Sequence, residues 1–171
     1  MREVESLFIE ANRAIDEKDL AEAKEILEDI LAIEPSYGRA HNHLAWIYET
    51  ELRDFEKACM HYKLAIKFAG KDYPVAYVNY IYLLLDMEQY NEVSSLILEA
   101  SDVKGIRESI LYYQQGRVLE ASNHLTLAYE WYKKAKKTSF DNSFIQILKL
   151  EIQRVLDKMN VFQKLYAKIW L

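Results

Sequence analysis

Four columns of residues keep a spacing of 35 along this chain. Leu20, Phe55, Tyr90 and Leu125 form the first, and Ala23, Ala58, Val93 and Ala128 the second. Leu27, Tyr62, Ile97 and Tyr132 form the third, and Ile30, Ala65, Ala100 and Ala135 the fourth. Within each copy the offsets are 3, 4 and 3, the spacing of one stripe on a helix. Large and small residues alternate along that stripe. An alanine lets a neighbouring backbone approach, and the large residue beside it fills the gap.

Each of these helices is preceded by another. Val4, Leu7, Phe8, Ala11 and Ala14 form one such stripe; Leu44, Ala45 and Tyr48 belong to the next. Tyr77, Ile81 and Leu84, then Tyr112, Gly116 and Leu119, complete the set. Short polar turns separate the two helices of a unit, with Asp19, Asp54 and Asn123 placed to cap the second helices. Pro35 follows the first pair and Pro74 opens the third. A strict period puts Trp46 in the small column of the first helices; one extra residue in the second turn puts Ala45 there, the better fit. Gly105, in the longer link before the fourth unit, is read as a helix C-terminal residue.

A helix–turn–helix unit of about 34 residues, repeated, is the signature of a helical solenoid. The chain resembles the tetratricopeptide repeat family. "DLAEAKEILEDILAIEP" (Asp19–Pro35) and "EWYKKAKK" (Glu130–Lys137) read as its second helices, and "HLAWIY" (His43–Tyr48) as a first helix. The resemblance implies an all-α fold, a right-handed α-solenoid with repeats at about 4–35, 38–70, 74–105 and 109–140 in one domain. Residues 141–171 are expected to form a capping helix or a degenerate repeat, with Phe162, Leu165, Tyr166, Ile169 and Trp170 along one face of the last segment.

The family holds a partner's peptide in a groove lined by first helices. Carried onto this chain, the groove residues are Asn12, Asn42, His43, Trp46, Asn79, Tyr82, Tyr113, Gln114 and Arg117. Amides suit backbone groups, and aromatic rings suit apolar side chains. Some relatives clamp the acidic tails of large chaperones with lysine, arginine and asparagine. Here those positions read Phe8, Asn12, His43, Val75 and Asn79, or one unit later Asn42, Trp46, Asn79, Ile110 and Gln114. Paired cations are missing, so no chaperone-tail binding is expected.

Bulk properties narrow the rest. A chain of 171 residues buries roughly 70% of its unfolded surface on folding. A net charge of −5 argues against nucleic acid or an anionic membrane as main partner. Cys59 is the single cysteine and suits a reducing compartment. The charged start, without an apolar run behind it, is read as no signal peptide, and no stretch approaches the ~20 apolar residues of a membrane span. The expectation is a cytoplasmic protein.

No glycine-rich phosphate loop, HExxH, GxSxG or CxxC occurs, so no catalytic residue, cofactor or metal is expected. His41 and His43, two apart on a helix, point to opposite sides and cannot share an ion. His61 and His124 have no evident partner, and Cys59 is read as a buried inert thiol. Lys133, Lys134, Lys136 and Lys137 are read as a solvated helix end, with an anion site as the alternative. The reading is a non-enzymatic interaction module that binds a protein or peptide partner. The alternative is a homodimer or larger oligomer built through the C-terminal helix or the solenoid ends.

Overall fold

The period in the sequence is also a period in the backbone. Lys18, Arg53, Glu88 and Asn123 stand 35 residues apart, and each has a positive φ, between 53° and 65°. Each is the left-handed residue of a turn between two helices. The computed structural model describes residues 2–170, and the side chain of Trp170, with its expected place on the last helix face, lies outside that description. Among the described residues there are ten α-helices, one 3₁₀ turn and no strand. They are α1 (Arg2–Asp16), α2 (Leu20–Ile33), α3 (Gly38–Thr50), α4 (Phe55–Ala69), α5 (Pro74–Asp86), α6 (Tyr90–Ala100), α7 (Glu108–Ala121), α8 (Leu125–Thr138), α9 (Asn142–Lys158) and α10 (Val161–Trp170). No described helix is long and apolar enough to cross a membrane.

The turn chemistry follows from that left-handed residue. After it comes the N-cap, whose N–H reaches back five residues: Asp19 to Ala14, Gln89 to Leu84, His124 to Leu119. In the second unit Asp54 reaches six back, to Tyr48. The extra residue is therefore real. Ala45 is fully buried, and Trp46 turns half out. Asp19 and Asp54 cap as expected, accepting from the N–H of Glu22 and Lys57 at 3.0 and 3.1 Å.

Asn123 does not cap. It occupies the left-handed position, which asparagine tolerates better than most residues, and His124 stands at the N-cap without a side-chain bond. Gly105 is also displaced from its expected role. The helix α6 ends at Ala100, and Gly105 lies further on in the link with φ 91°.

By compactness the chain divides into residues 1–83 and 84–171, a boundary inside α5. In the first unit α1 packs on α2, α2 on α3 and α3 on α4. Its core contains Ala11, Ala23, Leu27, Ile30, Ala45, Ala58, Tyr62 and Ala65, all without exposed surface. Gly38 is required there: a Cβ would lie 2.7 Å from both the Cβ and the backbone nitrogen of Ala69.

In the second unit α7 packs on α8 and α9 on α8. Leu125, Ala128, Tyr132 and Ala135 share a core with Leu148 and Val155 of α9, Met159, and Ala167 of α10. Asp141 caps α9, accepting from the N–H of Ser143 and Phe144. The last two helices thus cover the apolar face of α8, the place expected for a cap.

Candidate functional site

Because Ala11, Ala45 and Ile81 point into the first unit, the residue after each points away from its core. Those residues are Asn12, Trp46 and Tyr82. Asn12 donates its Nδ2 to the Phe8 carbonyl at 2.7 Å, which leaves Oδ1 to accept from His43 Nε2 at 2.9 Å. The imidazole therefore carries its proton on Nε2. His43 also stands edge-on to the Phe8 ring, 5.1 Å between centroids. Burial pushes its pKa down.

Asn42 is buried. Its Nδ2 donates to the Tyr73 hydroxyl at 3.4 Å, and its Oδ1 accepts from Asn79 Nδ2 at 3.2 Å. One hydrogen bond thus ties α1 to α3, and another ties α3 to α5. The polar row is fixed by its own hydrogen bonds, so little side-chain freedom remains in it. Trp46 is half-buried, and Tyr82 is 40% exposed.

The row is bounded by a second cluster. The Arg39 guanidinium lies 4.2 Å from the Phe8 ring centroid and 3.5 Å from Glu5 Oε2. The Tyr37 hydroxyl donates to Glu5 Oε1 at 3.0 Å, and burial with that bond pushes its pKa up to about 12. These contacts join residues 32 and 34 apart in the chain, and no local pattern announces them.

In the second unit the three expected residues have different surroundings. Gln114 is fully buried, accepts from Arg117 Nη1 at 3.3 Å, and leaves its own Nε2 without an acceptor. Tyr113 is half-covered by α9, edge-on to Phe144 at 5.4 Å, with its hydroxyl 3.5 Å from Glu151. Arg117 lines a polar cavity of about 360 Å³ with Leu85, Tyr90, Glu120, Tyr132, Arg154 and others.

Glu120, which sequence reasoning passed over, organises that cavity. Its side chain is only 7% exposed, and the carboxylate accepts from the Tyr132 hydroxyl (2.8 Å), Arg154 Nε (2.9 Å) and Lys158 Nζ (2.8 Å). Burial alone would raise its pKa. The bonds from Arg154, Lys158 and Tyr132 outweigh burial and hold it at about 2. The second unit of the repeat has the same pair, with the Tyr62 hydroxyl donating to Glu49 at 2.7 Å.

The histidines divide as their spacing requires. His43 faces α1, and His41 faces α4. His41 Nε2 donates to the Pro35 carbonyl at 3.1 Å, so its Nδ1 accepts from His61 Nδ1 at 2.9 Å. His61 thus has a partner that sequence alone did not reveal. Cys59 is half-buried, less enclosed than expected. No group of three or more metal-binding side chains occurs among the described residues.

Comparison with known proteins supports the resemblance. Residues 38–72 match the model of the tetratricopeptide repeat family. No curated protein matches the chain in sequence. Solved structures do match in fold. PilF of Pseudomonas aeruginosa superimposes with a TM-score of 0.75 at 24% identity, over 91% of this chain and 68% of that one. A double mutant of MamA RS-1 gives 0.68 at 14% identity, over 91% and 95%. PilW, a widely conserved type IV pilus biogenesis factor, gives 0.68 at 16% identity, over 95% and 82%. The fold is that of the tetratricopeptide solenoids, all-α and built of helix pairs.

Proposed function

We propose that this chain is a protein-interaction module whose first helices hold a peptide segment of a partner protein. The observation that carries the reading is the row on α1, α3 and α5. There Asn12, His43, Asn42 and Asn79 are locked by hydrogen bonds to one another, and the Trp46 and Tyr82 rings remain accessible beside them. The rings offer apolar contact at low entropic cost, and the Asn79 carbonyl, not used in the row, is an acceptor for a peptide N–H. A carboxylate-terminated chaperone tail remains an unsuitable ligand, because Asn12, His43 and Asn79 supply no cation.

The test is a quantitative pull-down from native lysate with the intact protein and a Trp46→Ala/Tyr82→Ala variant of unchanged helicity. A protein captured by the first and lost with the second supports the reading. Identical captures from both baits refute it.

A second reading rests on α10. Val161 and Phe162 are 78% and 83% exposed, and Leu165, Tyr166 and Ile169 are also exposed, while only Ala167 among its described side chains is buried. Such a face suits self-association. Light scattering on the intact chain and on a Phe162→Glu/Ile169→Lys variant decides it. A concentration-dependent mass that the variant abolishes supports an oligomer, and a monomeric mass throughout refutes it.

A further inference from the structure

The second unit carries a cleft that the first-helix reading does not use. It has a volume of about 890 Å³ and lies between the start of α7, the end of α8 and the link 139–141. That is the size range of a specific ligand pocket. Its walls include Tyr112, Thr138 and the buried Ser109, and its rim carries Arg107, Lys134, Lys137 and Phe140.

Phe140 decides the character of the rim. It is 99% exposed and lies beside the cleft's cations, so an apolar side chain of a ligand can cover it. It stands three periods of 35 after Pro35, the same place in the repeat, so the turn alone does not demand an aromatic. The Tyr112 ring lies 5.4 Å from Trp131, which gives the wall behind the cleft an aromatic backing.

The charge around the cleft runs against that of the chain. The protein carries −5 overall, yet α8 holds four lysines against one carboxylate, Glu130. Lys134 is held by Glu130 at 3.0 Å and lies 4.6 Å from the Trp131 ring centroid. Lys136 and Lys137 have no ion partner among the described residues. Arg107 reaches Asp141 only at 3.8 Å, with both side chains well exposed. Such an exposed pair contributes little, so an incoming carboxylate can take its place. The cleft's own acids are accounted for: Asp141 by Arg107 and the α9 cap, and Glu108 by the Tyr112 hydroxyl at 3.3 Å.

We propose that this cleft binds an acidic peptide segment bearing one aromatic or large aliphatic side chain, its carboxylates on Arg107, Lys134 and Lys137 and its apolar side chain against Phe140 and Tyr112. A nucleic acid fits less well. The −5 chain supplies no extended basic surface to follow a phosphate backbone. The cleft belongs to the second unit alone, and the proposal stands independently of Trp46 and Tyr82.

Fluorescence anisotropy tests it. The probe is a fluorescein-labelled peptide of alternating Asp and Glu with a central Phe, titrated with the full chain at physiological ionic strength. Saturable binding is expected. It should weaken about tenfold when Gly replaces the Phe, and about tenfold in a Lys134→Glu/Lys137→Glu variant. Phe140→Ser should weaken it several-fold. All three side chains are at the surface, and circular dichroism checks that the variants remain folded. Absence of saturable binding, or undiminished binding by the charge-reversed variant, overturns the proposal. So does equal binding of an oligothymidylate or of phosphatidylserine vesicles. Loss of the peptide in the Trp46→Ala/Tyr82→Ala variant would refute this site while supporting the first-helix one.

Discussion

Gly116→Ala tests the packing logic of the repeat most directly, because two known effects oppose one another there. Glycine within a helix costs roughly 1 kcal/mol relative to alanine, so on propensity alone the substitution stabilises. Packing points the other way. A Cβ at 116 would lie 2.5 Å from Tyr132 Cε1 and 2.6 Å from Cδ1, where ordinary contact begins at 3.4 Å. The ring must therefore move by about 1 Å. Its freedom to do so is small, since Tyr132 is fully buried and its hydroxyl is held by Glu120 at 2.8 Å. Overpacking of this kind costs roughly 1–3 kcal/mol, so the net expectation is a loss of about 1–2 kcal/mol. Urea unfolding followed at the helical band reads it directly. The second arm is Tyr132→Leu, which reproduces the combination of Ala11 and Leu27 in the first unit of the repeat. In that background Gly116→Ala should be neutral or stabilising by up to about 1 kcal/mol, a change of sign between the two backgrounds. Stabilisation by Gly116→Ala in the wild-type background would refute the reasoning and show that the ring adapts.

Acid should act first through the histidines. Burial and the neighbouring His41, with a lesser effect of Lys57, depress His61 to about 4 against the opposing charge of Glu28; burial also depresses His41 and His43. The unfolded chain binds protons near pH 6.5 where the folded chain does not, so stability is full above that value and falls as pH drops towards 4. Allowing for partial exposure, His61 should contribute a loss of roughly 1–2 kcal/mol between pH 7 and 5, and His61→Gln should flatten that slope in urea midpoints. Equal midpoints at the two pH values would count against the buried neutral pair. Glu120→Gln should cost about 1–2 kcal/mol at pH 7, since Arg154 and Lys158 keep half their surface in water. Because the folded carboxylate sits near 2, its contribution persists at neutral pH and is lost only as pH falls from the unfolded carboxylate range through that value. An unchanged urea midpoint at pH 7 would show that the cations gain nothing from it.

How far the sequence could be read depended on whether an interaction repeats. The columns predicted the buried faces of α2, α4, α6 and α8, because a residue that fills the same gap in every copy recurs at the same spacing. The same arithmetic would have found the Tyr–Glu bonds, had the two columns been read together. Measured from the small position of each first helix, Glu49 and Glu120 fall in one place, and Ile15 and Leu85 occupy it in the other units. The partner column changes in step: Tyr62 and Tyr132 stand with the carboxylates, and Leu27 and Ile97 with the apolar residues. A hydroxyl is buried only where an acceptor awaits it, which is the cost of unsatisfied polar groups written into the sequence.

What stayed hidden is what occurs once. The His41–His61 bond joins α3 to α4 in a single unit, and the ladder from Asn12 to His43 and from Asn42 to Asn79 uses different residue types at each step. Neither leaves a column to notice. The covering of Tyr113 by α9 has the same origin, for no other first helix is followed by that sequence. Repetition therefore reveals how the solenoid is built, while the rings proposed for recognition lie in departures from it. Trp46 turns half out because one turn gained a residue, and Phe140 is exposed in the link after α8. Both lie outside the repeating core, so substituting them should change binding with little effect on stability. Equal urea midpoints for wild type, Trp46→Ala and Phe140→Ser are the expected result, and a loss above about 1 kcal/mol in either would place that ring in the core instead.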